Sequence, residues 1–253
     1  MTMRFRALLL AIVVVGNFVD CQRPPAENPG READPRAHAN VAGAASDSAT
    51  SGVVSGTVYF SGNPPKVTPI NMSADPSCKG SNASESIVAN EGKLQNVFVY
   101  LEGGFTFSPS SQPVIVEQHG CRYVPHVVAV AVTQPVEFRN LDETSHNIFG
   151  MPHANDSWNV SQPSQAPSLK RSFRHAETMI PVRCNQHPWM KMYINVSDSP
   201  FFGVTDRGGH FELKGVPPGT YDLVFVHETL GTQRHKITVA AKEQKTVDVS
   251  FAQ

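Results

Sequence analysis

The chain has 253 residues, of which 40% are hydrophobic and 17% are charged, and its formal net charge is −1. These values are typical of one or two folded globular domains and exclude a largely disordered chain. A charge so close to neutral gives no electrostatic reason to expect nucleic acid or an anionic membrane as a partner. The 20 prolines and 18 glycines punctuate short β-branched runs, which predicts an all-β protein rich in turns.

The first 20 residues have the pattern of an export signal. Arg4 and Arg6 precede an unbroken apolar run over residues 7–16, which is the order found in signal peptides. The run is shorter than the roughly 20 apolar residues of a membrane-spanning helix, so no transmembrane span is predicted. We therefore expect residues 1–20 to be a signal peptide and the protein to act in the periplasm or outside the cell. The alternative is a buried helix of the folded domain.

Cys21 raises the alternative of a lipid anchor, as in bacterial lipoproteins, which would attach the protein to a membrane. Such signals have a small residue just before the cysteine, whereas Asp20 stands there. This difference favours simple cleavage over lipidation. Residues 21–51 are rich in Ala, Pro, Ser and charged residues and have almost no large apolar side chains. They cannot bury a core, and we predict that they form a flexible tether.

From residue 53 onward, apolar and β-branched runs bounded by turn residues predict a series of strands. These strands are expected at 53–60, 94–101, 114–116, 127–132 and 136–140. The run at 127–132 is apolar on both faces, as expected for a strand inside a sandwich. Residues 71–86 and 150–168 are polar and are predicted to be loops. Residues 171–174 and 180–184 are predicted to pair as a hairpin.

The sequence Cys-Asn-Gln-His-Pro-Trp-Met at residues 184–190 holds three kinds of metal-binding side chain. Thiolate and imidazole, here Cys184 and His187, are the strong ligands of copper electron-transfer centres. The thioether of Met190 suits the long, weak axial position of such a centre. A second imidazole is needed, and His146 supplies it after a strand that ends in Asn-x-Asp.

On these residues the chain resembles the cupredoxins, the small blue-copper proteins. The loop is similar to the amicyanin pattern Cys-x-x-His-Pro-aromatic-Met after an earlier His-Asn, and a Tyr-x-Pro segment (Tyr123, Pro125) precedes the strands. The resemblance is clearest over residues 113–198. It implies a Greek-key cupredoxin sandwich, which we place at residues 105–199. It also implies one type 1 copper ion with the ligands His146, Cys184, His187 and Met190.

The resemblance also gives roles to residues beside the ligands. Asn147 stands where the family uses an Asn to tie the two ligand segments together, with its backbone N–H near the thiolate. Gln186 departs from the amicyanin pattern, which has Pro there, and so keeps an N–H that can donate to Cys184. Pro188 and Trp189 are placed over the ligand edge as an apolar docking patch, with ordinary packing as the alternative for Trp189.

Other kinds of metal site fit these residues less well. Zinc prefers Cys, His and carboxylate ligands and closes tetrahedrally, so a thioether favours copper. Met192 competes for the axial position, but the amicyanin-like spacing favours Met190. A binuclear copper centre needs a second Cys in the loop, where Asn185 and Gln186 stand instead. The last alternative is a cupredoxin-like fold without a metal.

The character of the chain changes in residues 200–253, where a strand, an Asp-x-Gly turn and a strand occupy residues 204–213. This part resembles the carboxypeptidase regulatory-like module, a small transthyretin-type β-sandwich. The opening strand of that family, Gly-x-Val followed by Gly-x-Pro, has its match at Gly56-Thr57-Val58 and Gly62-Asn63-Pro64. Two arrangements remain open. Either residues 53–104 and 200–253 build one sandwich around the copper domain, or two domains follow one another.

The cysteines give a further prediction, because cysteines outside the reducing cytosol tend to pair. Of the four, Cys184 is assigned to the metal and Cys21 lies in the signal region. Cys78 and Cys121 remain, and we predict that they form a disulfide. Two separately buried thiols are the alternative.

The leading functional hypothesis is an exported mononuclear blue-copper protein that carries single electrons by Cu(I)/Cu(II) cycling. Its partner would be a redox protein, either a cytochrome or an oxidoreductase. The sequence lacks the His-x-His pairs with which multicopper enzymes bind further coppers, so we expect that it is not an enzyme. The alternative is a binding module that docks a protein or glycan partner, with copper structural or stored.

Overall fold

The computed structural model describes residues 49–80 and 82–252, and every regular element within them is a β-strand. The all-β prediction is confirmed. The predicted signal peptide (1–20), Cys21 and nearly all of the predicted tether (21–51) lie outside the described residues. Within the described part, no helix is long and apolar enough to cross a membrane.

The strands form two β-sandwiches, and the chain passes from one sandwich to the other and back. In chain order they are β1 (Gly52–Ser61), β2 (Pro69–Ile70), β3 (Asn82–Ala83), β4 (Ala89–Asn90), β5 (Lys93–Leu94), β6 (Phe98–Glu102), β7 (Val114–Gln118), β8 (Tyr123–Val124), β9 (Val127–Ala131), β10 (Val136–Asn140), β11 (His146–Gly150), β12 (Trp158–Gln162), β13 (Leu169–Arg171), β14 (Glu177–Arg183), β15 (Lys191–Ser197), β16 (Phe202–Val204), β17 (His210–Val216), β18 (Gly219–His227), β19 (Gly231–Val239), β20 (Gln244–Thr246) and β21 (Val249–Ala252).

The terminal sandwich consists of β1, β4 to β6 and β16 to β21. In one of its sheets β1 pairs with β5, β17, β20 and β21, and the other sheet has the order β16-β6-β18-β19. Strands that precede and strands that follow the predicted copper domain therefore share both sheets. This is the discontinuous arrangement of the two that the sequence left open. Val54, Val58, Leu101, Leu223 and Phe225 are among the buried residues of its core.

The inserted sandwich consists of β7 to β15. One sheet has the order β13-β10-β7-β8, and the other has the order β12-β11-β14-β15-β9. Two neighbouring pairs, β7 with β10 and β9 with β15, are parallel, and the other pairs are antiparallel. Buried residues from both sheets, including Val116, Phe138, Ile148 and Ile194, form its core.

Strand β9 is buried on both faces because it lies between two cores. Side chains of a strand alternate between its faces, and Val128 and Val130 belong to the core of the inserted sandwich. Val127 and Ala129 point the other way and pack with Phe98 of the terminal sandwich. The unbroken apolar run thus has a different cause from the one predicted. β9 is an edge strand of its sheet, and the terminal sandwich covers its outer face.

Two local predictions are wrong. Residues 150–168 are not simply a loop, because they contain β12, which pairs with β11. Trp158 of β12 is packed so closely over Gly150 that a Cβ at that glycine would lie 2.1 Å from the indole ring. Residues 171–174 and 180–184 do not pair as a hairpin, because β13 pairs with β10 and β14 pairs with β15 and β11.

The predicted N-terminal range, 53–104, does not belong entirely to the terminal sandwich. Residues 69–80, which we call the capping segment, pack on the inserted sandwich instead. Met72 and Cys78 are buried in its core, and β2 pairs with β3 at the base of the segment. The predicted disulfide between Cys78 and Cys121 is present in the structure, with the sulfurs 1.99 Å apart. This bond joins the capping segment to the residues before β8.

Gly56, in the Gly-x-Val segment of β1, occupies a position where no side chain fits. A Cβ at Gly56 would lie 1.9 Å from the carbonyl oxygen of Val247, so backbone would have to move. We expect Gly56→Ala to lower the free energy of unfolding by about 1–3 kcal/mol, because overpacking has a cost of this size. A urea titration measures this loss. Gly203→Ala, in β16 of the same sandwich, is the control, because a Cβ there meets nothing within 4 Å. Equal losses in the two variants would contradict this explanation.

Candidate metal centre

Three buried side chains from two distant segments converge at one end of the inserted sandwich. His146 begins β11, Cys184 directly follows β14, and His187 lies in the loop before β15. The two Nδ1 atoms of the histidines are 2.9 Å apart, and the Cys184 Sγ is 3.5 Å from the His187 Nδ1. None of the three residues is more than 4% exposed. The structure thus brings together the three strong ligands that the sequence predicts.

These separations fit a single metal ion. Metal–nitrogen bonds of about 2.0–2.1 Å and metal–thiolate bonds of about 2.3 Å mean that two ligands of one ion lie at most roughly 4.4 Å apart. The separations of 2.9 and 3.5 Å satisfy this limit. The Nε2 atoms of both rings are engaged by carboxylates, so the Nδ1 atoms are the ones available to a metal.

Met190 belongs to the same hydrogen-bonded loop and is buried. Its backbone N–H donates to the carbonyl oxygen of His187 at 2.8 Å, and its carbonyl oxygen accepts from the N–H of Cys184 at 3.2 Å. Met192, the competing thioether, lies in β15 opposite Val182. Of the two methionines, Met190 is therefore the one that lies in the ligand loop, residues 184–190.

The environment of Cys184 favours the thiolate, which is the form that binds metals. The backbone N–H of Asn147 donates to its sulfur at 3.3 Å. Burial of the thiol raises its pKa, but a hydrogen bond from His146 lowers it. Further bonds from the backbone N–H groups of Asn147, His187 and Gln186 outweigh the burial, so the pKa of this thiol falls from 9.0 to about 6.

Asn147 links the two ligand segments through its backbone and not through its side chain. The backbone N–H reaches the sulfur of Cys184, as the resemblance implies. The side-chain amide instead donates to Asn159 of β12 at 3.3 Å. The hydroxyl of Tyr123 donates to the Asn147 carbonyl oxygen. Bonds from neighbouring strands therefore fix the N–H that meets the thiolate.

Asp142 is a site residue that the sequence analysis does not predict. Its carboxylate accepts from the Nε2 of His146 at 2.8 Å and from the backbone N–H groups of Gly120 and Cys121 at 2.7 and 2.8 Å. Burial lowers the pKa of His146, but the hydrogen bond to Asp142 raises it, and the net result is about 9. The Asn-x-Asp pattern at the end of β10 was the available signal.

Asp75 of the capping segment is the second unassigned site residue. Its Oδ2 accepts from the Nε2 of His187 at 2.9 Å and from the hydroxyl of Thr144 at 2.9 Å. The backbone N–H of Ser77 is the largest cause that lowers the pKa of Asp75 to about 2, followed by the bonds from His187 and Thr144. Nothing in the sequence pointed to Asp75, because residues 71–86 are predicted to be a polar loop.

The two residues of the expected docking patch differ in exposure. Pro188 is exposed and Trp189 is half-buried. The Trp189 Nε1–H donates to the carbonyl oxygen of Cys121 at 3.1 Å, and its ring centroid lies 5.2 Å from that of His187. These contacts give Trp189 a packing role beside the site, and docking at Pro188 and Trp189 stays a prediction.

Gln186 provides a test of how the loop tunes the thiolate. Its N–H is one of the groups that lower the pKa of Cys184, and Gln186→Pro removes that donor. A thiolate with one hydrogen bond fewer donates more strongly to Cu(II), so the reduction potential should fall. A threefold to tenfold change in the Cu(II)/Cu(I) equilibrium corresponds to a fall of roughly 30–59 mV. Voltammetry of the copper-loaded variant measures this value. Gln186→Ala keeps the N–H and is the control, and an unchanged or higher potential in the proline variant would refute the proposed bond.

Comparison with known proteins gives similarity to solved structures over part of the chain. No protein-family model and no curated protein matches it. A copper-containing nitrite reductase from Thermus scotoductus SA-01 is 20% identical with a TM-score of 0.32, and the match covers 39% of this chain and 25% of that one. The chain thus spans about a quarter of that enzyme's length.

Smaller proteins match over nearly their whole length. A methionine variant of amicyanin in the Cu(I) form is 17% identical with a TM-score of 0.31, and the match covers 39% of this chain and 98% of that one. A purple cupredoxin from Nitrosopumilus maritimus is 18% identical with a TM-score of 0.29, covering 33% and 98%. Similarity at this level carries no information on function by itself. The resemblance to a carboxypeptidase regulatory-like module stays a prediction.

Proposed function

We propose that this protein is an exported electron carrier with a single copper ion bound by His146, Cys184 and His187, and with Met190 as a weaker fourth ligand. The observation that carries the proposal is the convergence of two imidazole Nδ1 atoms and one thiolate in a buried site. A His₂Cys set with a thioether in the same loop is the donor set of blue-copper electron-transfer centres.

Zinc is the main competing ion, and the carboxylates argue against it. Zinc closes its tetrahedral shell with Cys, His or carboxylate ligands. The carboxylates near the site, Asp75 and Asp142, accept hydrogen bonds from the Nε2 atoms of the two rings. They therefore serve as outer partners of the imidazoles, and the fourth donor left in the ligand loop is the thioether of Met190, which suits copper.

Copper, when bound by these residues, would supply the one-electron change between Cu(II) and Cu(I). The chain's own part is to hold the donors in place. The sandwich strands fix His146 and Cys184, and hydrogen bonds from Asp75 and Asp142 orient the two rings, as outer partners of metal ligands do. Burial of the ligand side chains keeps water away from them. A site held in this way rearranges little when its charge changes, which favours fast electron transfer.

The proposal includes location and partner. The Cys78–Cys121 disulfide supports an oxidising compartment, either the periplasm or the extracellular space. A lipid anchor at Cys21 remains the alternative to a freely diffusing protein. The proposed partner is another redox protein, a cytochrome or an oxidoreductase, and the protein transforms no substrate of its own.

Metal titration tests the proposal. Metal-free protein is titrated with Cu(II) and, separately, with Zn(II), and the visible spectrum and paramagnetic resonance of the copper form are recorded. We expect one copper ion per chain, an intense thiolate-to-Cu(II) charge-transfer band, and a narrow copper hyperfine splitting. A colourless copper complex, or zinc displacing copper at equal concentration, would contradict the proposal.

A further inference from the structure

The outer edge of the His187 ring is covered, and Asp75 is the group that meets it. The side chain of His187 is only 4% exposed. Its Nε2 lies 2.9 Å from the Oδ2 of Asp75, which also accepts from the Thr144 hydroxyl at 2.9 Å. The other oxygen, Oδ1, accepts from the backbone N–H of Ser77 at 2.8 Å. Asp75 is thus held from its own segment and from the loop before His146.

The capping segment that carries Asp75 is anchored by contacts of its own. Met72 is buried, and the Asn82 side chain donates to its sulfur at 2.8 Å and to the Gly120 carbonyl oxygen at 2.9 Å. The Cys78–Cys121 bond provides the covalent anchor. The sulfurs of that disulfide lie within 4.8 Å of a ring nitrogen of His187. The disulfide is therefore beside the ring that Asp75 contacts.

The disulfide also connects the two aspartates that contact the histidines. On one side, the backbone N–H of Cys121 donates to Asp142, the partner of His146, at 2.8 Å. On the other side, the backbone N–H of Cys78 donates to the carbonyl oxygen of Asp75 at 3.0 Å. Each half of the disulfide is thus bonded to the residue that holds one histidine of the site.

We propose that Asp75 is a positioning residue of the metal centre and that the Cys78–Cys121 disulfide keeps it in place. This inference rests on the proposed function. The carboxylate of Asp75 accepts a hydrogen bond from the Nε2–H of His187, and this bond keeps the proton on Nε2. The same bond fixes the rotation of the ring, so that Nδ1 is directed at Cys184. The negative charge of Asp75 also makes the imidazole a stronger donor, which stabilises the oxidised metal more than the reduced one.

The first test uses the metal-free, full-length protein. NMR of the ¹⁵N-labelled histidines reports which ring nitrogen of His187 carries the proton, with the signals assigned by their loss in His187→Gln. We expect the proton on Nε2 in the wild type and a mixture of tautomers in Asp75→Ala. Asp156→Asn is the control, because Asp156 is exposed in the loop at the far end of the β11–β12 hairpin. A proton on Nδ1 in the wild type, or an unchanged tautomer in Asp75→Ala, would overturn the proposal.

The second test uses the copper-loaded protein and the conservative variant Asp75→Asn, which removes the charge but keeps an acceptor. We expect the reduction potential to rise, and a tenfold loss of preference for Cu(II) over Cu(I) corresponds to 59 mV. Asp156→Asn makes the same change in net charge and should leave the potential nearly unchanged. Equal shifts in both variants would show a general effect of charge and would refute a specific role for Asp75.

A double-mutant cycle tests the part of the disulfide. The variant Cys78→Ala/Cys121→Ala should give the same mixture of His187 tautomers as Asp75→Ala. Adding Asp75→Ala to it should change nothing further, because both changes remove the same contact. Additive effects would refute the role of the disulfide. If no form of the protein shows the visible copper band, the proposed function fails, whereas the NMR result still decides whether Asp75 positions the ring.

Discussion

Cys184→Ser is expected to abolish the visible charge-transfer band of the copper-loaded protein completely. Among the described residues Cys184 is the free cysteine, and it is buried beside His187. The band arises from a thiolate bound to Cu(II), and a serine hydroxyl supplies no sulfur and does not ionise near neutral pH. We expect the serine variant to fold with a similar unfolding curve in its metal-free form and to stay colourless when copper is added.

Met190→Leu is the control for this result. It removes the proposed thioether donor but leaves the thiolate and both imidazoles, so the visible band should persist, with a shifted reduction potential. Absorption spectra of both variants at equal copper loading make the comparison. A retained band in Cys184→Ser, or loss of the band in both variants alike, would contradict the assigned ligand roles.

Removal of the Cys78–Cys121 disulfide is expected to have the largest effect on stability. The two cysteines are 43 positions apart in the sequence, and the loop-closure relation gives a loss of about 4 kcal/mol in the free energy of unfolding. Urea denaturation of Cys78→Ala/Cys121→Ala measures this loss. The matched comparison is urea denaturation of the wild type with a dithiol reductant present. The reduced protein lacks the disulfide but keeps both cysteine side chains.

Peptide mapping without reduction provides an independent check on the bond. The fragments that contain Cys78 and Cys121 should be recovered joined. Recovery of both cysteines as free thiols from exported protein would refute the stabilising role of the bond. A loss of unfolding free energy below about 1 kcal/mol would also refute it, because such bonds typically contribute about 2–4 kcal/mol.

The parts of the site that follow from local sequence were predictable. Cys184, His187 and Met190 lie in one seven-residue loop, and their side-chain types together with the resemblance to the amicyanin loop predict a metal site. His146 follows a strand whose apolar alternation is clear. The burial of all these residues and the contact between the two Nδ1 atoms agree with that interpretation.

The parts that depend on distant contacts were not predictable in the same way. Asp75 and His187 are 112 residues apart, and a turn that contains Asp, Pro and Ser gives no sign of what it will cover. The strand β12 was missed because Asn159 and Ser161 face solvent while the buried Trp158 depends on the space above Gly150. The hairpin prediction failed because neighbours in sequence went to different sheets.

The division into two sandwiches shows the same limit. The match of Gly56-Thr57-Val58 to a module otherwise found after residue 200 suggested that both ends share a fold. The choice between one discontinuous sandwich and two domains depends on pairings such as Val58 with Val249. The strands that pair in this way lie near opposite ends of the described chain, and the periodicity within a strand contains no information about its partner.

The central claim is that this chain carries single electrons on a copper ion bound by Cys184, His146 and His187. One measurement tests this claim most directly. The copper-loaded protein is placed in a spectroelectrochemical cell, and the visible band is followed while the applied potential is swept in both directions. We predict that the band disappears and returns along a single one-electron Nernst curve without loss of copper. A band that does not bleach, bleaching that does not reverse, or release of copper on reduction would contradict the claim.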